Sequence, residues 1–393
     1  MSLDAAFLRA IEAAAPTRLH EPLSRHTTIG IGGPADAYVM PETTPQMVEV
    51  LRLCAEASVP VFVLGSGSNI VIGDHGIRGV VLDNRAQQLT DLGPMPSASV
   101  HGEPVQSHDA KNDPPSSPSP RKERGPGSEV APAPQGVEDP ESMSQDTAAP
   151  ESMPQPSGRG IADAAPLPLP SDHNTETDTR TRFKADSGCS FAAVARQLAF
   201  AGYAGLEWAC GIPGTIGGAV VYNAGAYGGC LADVLLRAGL WDAEHGEHVL
   251  EAADLGLVYR GSAFTRGLMR GRAVLWAEFA LWPGEPEALR ARVADYDSRR
   301  LKAQPRGRNA GSFFKNPPGH PAWKLLDDAG MRGYGVGGAQ FSDKHCNFLI
   351  NTGGATAADV AALKREAQTR VRERFGVDLE NEVTLVGEGF GDA

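Results

Sequence analysis

Cysteine pairs, long apolar runs and basic stretches are scarce in this sequence, and each scarcity excludes a class of protein. The five cysteines are odd in number and show no C-x-x-C spacing, so neither a disulfide framework nor a zinc site is indicated. No apolar run approaches the roughly 18 residues that a membrane-spanning helix needs. Residues 1–19 have the pattern of a short amphipathic helix without the basic start and apolar core of a signal peptide. We therefore expect a cytoplasmic protein with no bound metal and no segment in a membrane.

The formal net charge of -12 argues against nucleic acid as a partner. A protein that follows a phosphate backbone presents basic side chains on one face, with aromatic residues among them. Here the one basic cluster, RKER at 121–124, lies in a proline-rich segment without aromatic residues. We expect small-molecule ligands and a monomeric protein.

Aromatic residues are absent between Phe62 and Phe183, while 17 of the 30 prolines fall between Pro94 and Pro170. Such a segment buries too little apolar surface to offset the roughly 1 to 2 kcal/mol that ordering each backbone residue costs. The composition therefore predicts a disordered insertion over residues 94–180. The remaining chain has ordinary apolar content and is long enough for more than one hydrophobic core.

Residues 308–319, RNAGSFFKNPPG, place a hydroxyl, an ammonium and a carboxamide within five positions, between glycines and prolines. The adjacent Phe313 and Phe314 predict that one side of this segment is buried while Ser312 faces a cleft. The alternative is a plain Gly-Ser turn that enters a short strand and leaves Lys315 in solvent.

A glycine-serine loop follows one predicted strand and precedes another. Its sequence GSGSN is similar to half of a dinucleotide-binding fingerprint, but Ile70 stands where a third glycine is needed and no helix follows, so it is not a Rossmann turn. Consecutive backbone N–H groups and hydroxyls in such a loop suit a pyrophosphate, whereas a plain hairpin loop is the alternative. The candidate cofactor residues in this loop are Gly65, Ser66, Gly67, Ser68 and Asn69.

A second loop, GLEWACGIPGTIGGAVVYNAGAYGG at 205–229, is dense in small residues. This density predicts that a large flat ligand lies against the backbone, and a flavin suits. Two separated glycine-rich loops that close on one ligand are stronger evidence than either loop alone. The candidate cofactor residues here are Gly211, Pro213, Gly214, Thr215, Gly217 and Gly218.

Five motifs, in this order, closely resemble the UDP-N-acetylenolpyruvoylglucosamine reductase family. They are GSGSN, GIPGTIGGAVVYNAGAYGG, VYRGSAF at 258, GSFFKNP at 311 and LENEVTLVGEG at 379. The resemblance covers nearly the whole chain outside the predicted insertion. It implies a cytoplasmic flavoenzyme of peptidoglycan synthesis with noncovalent FAD. It also implies that NADPH is the reductant and that UDP-N-acetylglucosamine enolpyruvate is reduced to UDP-N-acetylmuramate.

The resemblance implies an α+β fold, with an FAD-binding domain of the vanillyl-alcohol-oxidase (PCMH) type in two lobes and a smaller α+β substrate domain. The first lobe and the start of the second are expected at 1–93, the rest of the second lobe at 181–262, and the substrate domain at 263–393. The short segment between Tyr259 and Ser312 is similar to the compact second type of the family, which lacks an extra loop carrying a substrate-closing tyrosine.

Reduction of an enolpyruvyl ether needs a hydride at C3, a proton at C2, and stabilisation of negative charge on the adjacent carboxylate. No side chain supplies a hydride, so a flavin reduced by NADPH must do so. By resemblance, Ser312 is the proton donor, and Arg260 holds the carboxylate with a planar guanidinium suited to it. Glu382 is the third catalytic residue that the resemblance implies.

Spacing by itself does not choose between Glu380 and Glu382, because residues two apart on a predicted strand face the same side. The family motif chooses Glu382. A carboxyl beside a substrate carboxylate must be protonated or paired, here with Arg260, whereas a solvent-facing strand glutamate is the alternative. The sequence departs from the family pattern at Gly261, where Asp is usual, and at Asn381, where Pro is usual.

The resemblance also points to four substrate contacts, which fit a dianionic UDP-sugar because it favours cations and amide donors. For His345 a structural role is the alternative. The four candidates are Tyr259, Asn316, Lys344 and His345.

Two other functions stay open. One is an oxidase or dehydrogenase of the same flavin fold, with flavin attached through His75 or Cys210. The motifs GSFFKNP and LENEV argue against it. The other is a flavin-binding scaffold without catalysis, against which the presence of Ser312 and Arg260 argues.

Overall fold

The computed structural model describes residues 3–96 and 178–391. Most of the predicted insertion, residues 97–177, therefore lies outside the described residues. The helices are α1 Ala5–Ala14, α2 Thr44–Glu56, α3 Phe191–Phe200, α4 Ile216–Tyr222, α5 Pro286–Ala303, α6 Ala322–Asp328 and α7 Ala357–Phe375. The strands of the first part of the chain are β1 Thr17–Leu19, β2 Ala35–Val39, β3 Val61–Leu64, β4 Ile70–Ile72, β5 Ile77–Asp83 and β6 Leu89–Pro94.

The remaining strands follow the undescribed segment. They are β7 Thr181–Asp186, β8 Tyr203–Ala204, β9 Gly225–Ala226, β10 Gly229–Cys230, β11 Leu235–Asp242, β12 Gly246–Glu251, β13 Ala273–Pro283, β14 Asn309–Ser312, β15 Gly335–Val336, β16 Ala339–Phe341, β17 Phe348–Asn351 and β18 Thr384–Val386.

The first sheet has the strand order β1-β2-β5-β3 and is covered on both faces. On one face α1 and α2 contribute Ile11 and Met47 to a core that includes Leu82 of β5. On the other face Tyr38 packs in a second core with Ile72. All five residues of β2 are buried, which explains why this strand reads as a continuous apolar run, without polar alternation.

The second sheet has the order β12-β11-β13-β7-β6, and β8 also pairs with β13. Its core includes Phe183 of β7 and Phe279 of β13, together with apolar residues of α3, α4 and α5. Since β13 lies between β7 and β11, a boundary after residue 262 would cut through this sheet. The division predicted at 262 is therefore wrong as a boundary in space, because backbone pairing joins residues 273–283 to the residues before 262.

A third sheet, of order β14-β17-β16-β15, carries α6 and α7. Its core contains Phe313, Phe341 and Leu363, and it also receives Ile29 and Val71 from the first part of the chain. The last strand, β18, leaves this region and pairs in parallel with β4. As expected for the GSGSN loop, strands β3 and β4 flank it. Among the described helices, none is both long and apolar enough to span a lipid bilayer.

The undescribed segment is inserted between two paired strands. β6 and β7 are antiparallel, with Pro94 opposite Thr181, and Met95 N–H donates to Arg180 O at 2.9 Å. Pro94 therefore belongs to β6, and Met95 and Arg180 extend the pairing by one hydrogen bond, although the sequence assigned all three to the insertion. β6 therefore ends beside the start of β7.

We expect that replacing residues 97–177 by a short Asn-Gly turn leaves the melting temperature, and any turnover implied by the family resemblance, close to wild type, because loop closure costs only about 0.6 kcal/mol per doubling of loop length. Steady-state kinetics and thermal unfolding of the shortened protein check this. A shortened protein that melts like wild type but has lost its turnover would contradict it.

Candidate active site

The two glycine-rich loops meet. Ser68 Oγ donates to Pro213 O at 3.0 Å, and Ser66 Oγ lies 3.0 Å from Ser68 Oγ. A Cβ placed on Gly65 would lie 3.1 Å from the hydroxyl oxygen of Thr215. The two loops are therefore in direct contact, which is what two loops that close on one ligand require.

Some glycines of these loops are packed against other protein atoms, and others face open space. A Cβ on Gly67 would lie 2.0 Å from His26 O, and one on Gly217 would lie 3.0 Å from the side chain of Ser187, so these two glycines serve packing within the protein. Gly214, by contrast, has φ of +154° and no atom within 4 Å of an added Cβ. The open space beside Gly214 leaves room for a ligand, whereas the space beside the Gly67 Cα is filled by His26.

A cavity of about 300 Å³ adjoins the first loop at Gly65 and Ser66. In its wall Tyr38 Oη donates to Asp83 Oδ2 at 2.7 Å and lies 2.9 Å from His26 Nδ1. Burial and the Asp83 carboxylate raise the pKa of Tyr38, so the phenol stays neutral. Tyr38, Asp83 and His26 are not among the residues predicted from the sequence, because no motif links residues so far apart in the chain.

Arg260 occupies a tight turn. Val258 N–H donates to Gly261 O at 2.9 Å, Gly261 N–H donates back to Val258 O at 3.1 Å, and Arg260 has φ of +53°. The left-handed region is unfavourable for a residue with a side chain, at a cost on the order of 1 to 3 kcal/mol. Asn223 anchors the turn through Nδ2, which donates to Val258 O at 3.0 Å. Such strain at a charged residue is typical of functional sites.

Ser312 ends β14 and precedes two buried rings. Phe313 and Phe314 are 0% and 1% exposed, so both rings are buried, whereas Ser312 is half-buried. Asn347 holds this segment on both sides: Phe314 N–H donates to Asn347 Oδ1 at 2.9 Å, and Asn347 Nδ2 donates to Phe314 O at 2.8 Å. Sequence reasoning missed Asn347, whose own position carries no motif.

The C-terminal segment lies beside Ser312. Glu382 N–H donates to Phe313 O at 2.9 Å, so Glu382 and Ser312 lie on adjacent, hydrogen-bonded segments. Glu382 Oε1 lies 3.2 Å from Arg260 Nε. This contact has the distance of an ion pair but not the angle of a hydrogen bond, since Arg260 Nε is buried and, within the described residues, has no hydrogen-bond partner. Burial raises the pKa of Glu382, although the charges of Arg260 and Lys315 act in the opposite direction.

The two C-terminal glutamates do not face the same side, which corrects the expectation drawn from their spacing. Asn381, between them, forms only an isolated bridge with Phe314, and the residues around it are not a strand. The side chain of Glu380 is 77% exposed and lies 3.3 Å from Lys315 Nζ, whereas that of Glu382 is 18% exposed. Only Glu382 is therefore placed with Arg260.

The side chains of three of the four predicted substrate contacts make hydrogen bonds to backbone atoms of the protein itself. Asn316 Oδ1 accepts from Ala322 N–H at 2.9 Å at the start of α6. Lys344 Nζ donates to two carbonyls, of Leu301 and Gln304, both at 2.8 Å, at the end of α5.

His345 has a packed environment of its own. Its ring lies 4.9 Å from that of Phe348 in an edge-on arrangement, and its Nδ1 accepts from Asn347 N–H at 3.3 Å. Burial lowers the pKa of His345, which favours the neutral ring that such an acceptor requires. Tyr259, in contrast, is 66% exposed next to Arg260.

The two departures from the family pattern have different surroundings. A Cβ at Gly261 would lie 2.8 Å from Thr265 Oγ1, and that hydroxyl is fixed by bonds to the backbone of Ser262. Thr265 thus takes the space that a side chain at 261 would need. At Asn381 the side-chain Oδ1 is buried and finds no partner among the residues described, and nothing in the structure explains this residue.

Two protein-family models match this chain. Residues 35–96 and 170–250 match an FAD binding domain, and residues 303–386 match the C-terminal domain of UDP-N-acetylenolpyruvoylglucosamine reductase. A relative named UDP-N-acetylenolpyruvoylglucosamine reductase from Agathobacter rectalis is 35% identical over 371 residues, which are 94% of this chain and 93% of the relative. The protein of the same name from Phenylobacterium zucineum is 37% identical over 368 residues, 93% of this chain and 94% of its own.

The crystal structure of UDP-N-acetylenolpyruvylglucosamine reductase from Thermus caldophilus is similar to this structure. It has a TM-score of 0.60 and 26% sequence identity, over 94% of this chain and 98% of that one. The fold and its loops define an α+β flavoprotein with a PCMH-type FAD-binding fold. More closely, the chain belongs to the UDP-N-acetylenolpyruvoylglucosamine reductase family.

FAD is the cofactor, and the residues present fit it. Gly214 leaves open space beside the backbone, and the hydroxyls of Ser66 and Ser68 lie on the shared loop surface. The cavity at Gly65 extends this surface. An elongated ligand with a pyrophosphate centre suits such a surface, because backbone N–H groups and hydroxyls donate to phosphate oxygens.

We expect Gly67→Ala to destabilise the protein even without FAD, by about 2 to 5 kcal/mol, because the methyl group must both enter the left-handed region and displace the His26 backbone. Thermal unfolding of the apoprotein measures this. Gly218→Ala is the matched control, since its nearest neighbour is Thr215 Oγ1 at 3.5 Å, an ordinary contact. Equal melting temperatures for Gly67→Ala and wild type would contradict the packing role of Gly67.

The raised pKa of Glu382 predicts a pH-dependent stability. A carboxyl whose pKa is raised above its ordinary 4.5 in the folded state stabilises the fold while protonated, and this contribution is lost as pH rises through the raised pKa. Gln at position 382 cannot ionise, so the free energy of unfolding of Glu382→Gln should increase relative to that of wild type as pH rises above 4.5. Thermal unfolding across this range tests it, with the exposed Glu380→Gln as control. A pH-independent difference between Glu382→Gln and wild type would show that Glu382 ionises normally.

Proposed function

We propose that this protein reduces the enolpyruvyl ether of UDP-N-acetylglucosamine enolpyruvate to UDP-N-acetylmuramate in peptidoglycan synthesis, with NADPH as reductant. Its membership of the reductase family supports the proposal. The observation that carries it for this chain is the contact of Arg260 with Glu382 beside the segment of Ser312. These three residue types meet the demands of the reaction, and FAD, when bound, supplies the hydride.

Arg260 binds the carboxylate of the substrate in this proposal. Its contact with Glu382 is made through Nε, so the terminal edge of the guanidinium is the part that meets another carboxylate. Two parallel N–H bonds to that group strengthen as negative charge grows on it, which is the stabilisation that the transition state needs. The anchored turn at Val258 and Gly261 fixes where this edge points.

The buried environment of Glu382 determines how this residue stabilises the negative charge that forms on the substrate. Burial favours the neutral acid, which can donate a hydrogen bond to an oxygen that becomes negative. When Glu382 is ionised, Arg260 compensates its charge. In either state the hydrogen bond of its N–H to Phe313 O keeps it next to Ser312.

Ser312 donates the proton to C2. It lies at the end of β14, where the buried rings of Phe313 and Phe314 and the amide of Asn347 hold the backbone. A positioned acid of this kind contributes about 10² to 10⁴ in rate.

We assign the remaining predicted residues as follows. The cofactor surface comprises Gly65, Ser66, Ser68, Gly214, Thr215 and Gly218. The other predicted cofactor residues pack against the protein beneath this surface and do not face the ligand. They are Gly67, Asn69, Gly211, Pro213 and Gly217. Tyr259, which is exposed beside Arg260, covers the substrate, whereas Asn316, Lys344 and His345 support the surrounding backbone.

We also propose a division of the chain in which the FAD-binding part extends through α5 and the substrate-binding part begins near residue 304. The position of β13 within the second sheet and the match of residues 303–386 to the reductase C-terminal domain support it. Arg260, Ser312 and Glu382 meet within one chain, so the monomer that we propose has these three residues without a partner subunit. The free cysteines of the described residues fit a reducing cytoplasm.

The proposed FAD is noncovalent. Cys210 is 3% exposed, and burial raises its pKa to about 11, so the thiolate that attachment would need is scarce. Acid precipitation of the protein should release all of the yellow colour. Colour retained in the precipitate would favour the alternative of an attached flavin.

We expect Ser312→Ala to separate the two half-reactions. Ser312 acts on the substrate after NADPH has been consumed, so the half-reaction with NADPH should proceed as in wild type. The half-reaction with the enolpyruvyl substrate should slow by on the order of 10² or more. Arg260→Lys should slow the same half-reaction, because a point charge does not replace the planar fork.

Stopped-flow absorbance of the FAD-loaded protein follows each half-reaction separately, and the FAD content of each variant serves as the control for folding. A Ser312→Ala protein that is slow with NADPH and normal with the enolpyruvyl substrate would refute the assignment of Ser312 as proton donor.

A further inference from the structure

Arg300, on α5, reaches the second glycine-rich loop. A Cβ on Gly211 would lie 2.6 Å from Arg300 Nε, so the guanidinium lies directly against this glycine. Its guanidinium carbon is 5.9 Å from the centre of the Tyr227 ring, which stacks on Tyr296 at 4.5 Å. Two elements therefore hold Arg300: the helix that carries it, and the loop whose glycine makes room for it.

Arg300 differs from the other arginines of its helix in lacking a counter-ion. Arg290 pairs with Glu287 at 3.3 Å, Arg299 with Asp295 at 2.8 Å, and Arg292 pairs with Glu207. Within residues 3–96 and 178–391, no carboxylate lies within ion-pair distance of Arg300. The nearby Asp297 is engaged with Arg196 at 2.9 Å.

The surroundings of Arg300 make this charge costly. The side chain is half-buried, and burial lowers its pKa, as does the charge of Arg260, whereas Tyr227 and the charge of Asp297 act in the opposite direction. A desolvated guanidinium without a partner is unfavourable unless an anion completes the site. The Tyr227 side chain and the charge of Asp297 compensate Arg300 only in part, because no carboxylate of the described residues lies within ion-pair distance of it.

We propose that Arg300 binds an anionic group of the substrate, a carboxylate or a phosphate, and so sets the affinity of the site for anionic ligands. This inference rests on the proposed function. A guanidinium suits either group, because its parallel N–H donors match the oxygens of both. Gly211 is then needed because any side chain at this position would displace the guanidinium.

The test uses Arg300→Met in the FAD-loaded protein, which keeps the length of the side chain and removes its charge. Calorimetric titration gives the affinity for the enolpyruvyl substrate and for UDP-N-acetylglucosamine, which has the diphosphate but not the enolpyruvyl carboxylate. We expect the enolpyruvyl substrate to bind about 10- to 100-fold more weakly, the worth of a hydrogen-bonded charge. If UDP-N-acetylglucosamine binds as before, the anion is the carboxylate; if both weaken equally, it is the diphosphate.

Arg299→Met is the matched control, because Arg299 is exposed and paired within the helix, and it should change neither affinity. Arg300→Lys retains the charge and should lose less affinity than Arg300→Met. A graded loss of this kind separates the effect of the charge from a folding defect. Unchanged affinities in Arg300→Met would overturn the proposal. Loss of FAD from Arg300→Met, with the substrate affinities unchanged, would also overturn it, since the anion bound by Arg300 would then belong to the cofactor. Failure of the proposed function is distinguishable, because wild type would then neither bind nor turn over the enolpyruvyl substrate.

Discussion

The return of the C-terminal segment to the first part of the chain is the constraint on which the site depends. β18 pairs in parallel with β4, and Thr384 N–H donates to Asn69 O at 3.0 Å. Asn69 Nδ2 in turn donates to Glu382 O at 3.1 Å, and Glu382 N–H donates to Phe313 O at 2.9 Å. The backbone of one glutamate thus joins the first glycine-rich loop to the segment of Ser312. The side chain of Asn69 thereby holds the backbone of Glu382.

Charge and backbone strain are concentrated where these segments meet. Arg260 stands in a left-handed conformation that costs free energy, and the turn closed by Val258 and Gly261 imposes it. Its partner Glu382 is a carboxyl that burial pushes toward the neutral form. Each of the two is unfavourable alone, and their contact at 3.2 Å offsets part of both costs. Such a pair persists because the surrounding structure is stable enough to hold it.

The small residues show why a glycine-rich run must be interpreted with care. The density of glycine at 205–229 predicts a ligand against the backbone, and Gly214 has the open space that this requires. Gly217 instead packs on Ser187, and Gly211 on Arg300. Only the tertiary structure separates a glycine that faces a ligand from one that faces the protein, because both show the same residue in the sequence.

The sequence by itself determined the local elements, the two loops and the family. Strands flank GSGSN because short apolar runs bounded by glycine favour strands. The motifs by themselves resemble those of the reductase family, to which the chain belongs. Those properties depend on residues close together in the chain or on motifs.

Tertiary structure decided which of Glu380 and Glu382 contacts Arg260, the place of β13 in the second sheet, and the hydrogen-bond partners of Asn316, Lys344 and His345. Each of these depends on contacts between residues far apart in the chain, such as Arg260 with Glu382. Periodicity and composition report only which neighbours in sequence share a face, so they contain no information about which distant backbone a segment will pair with.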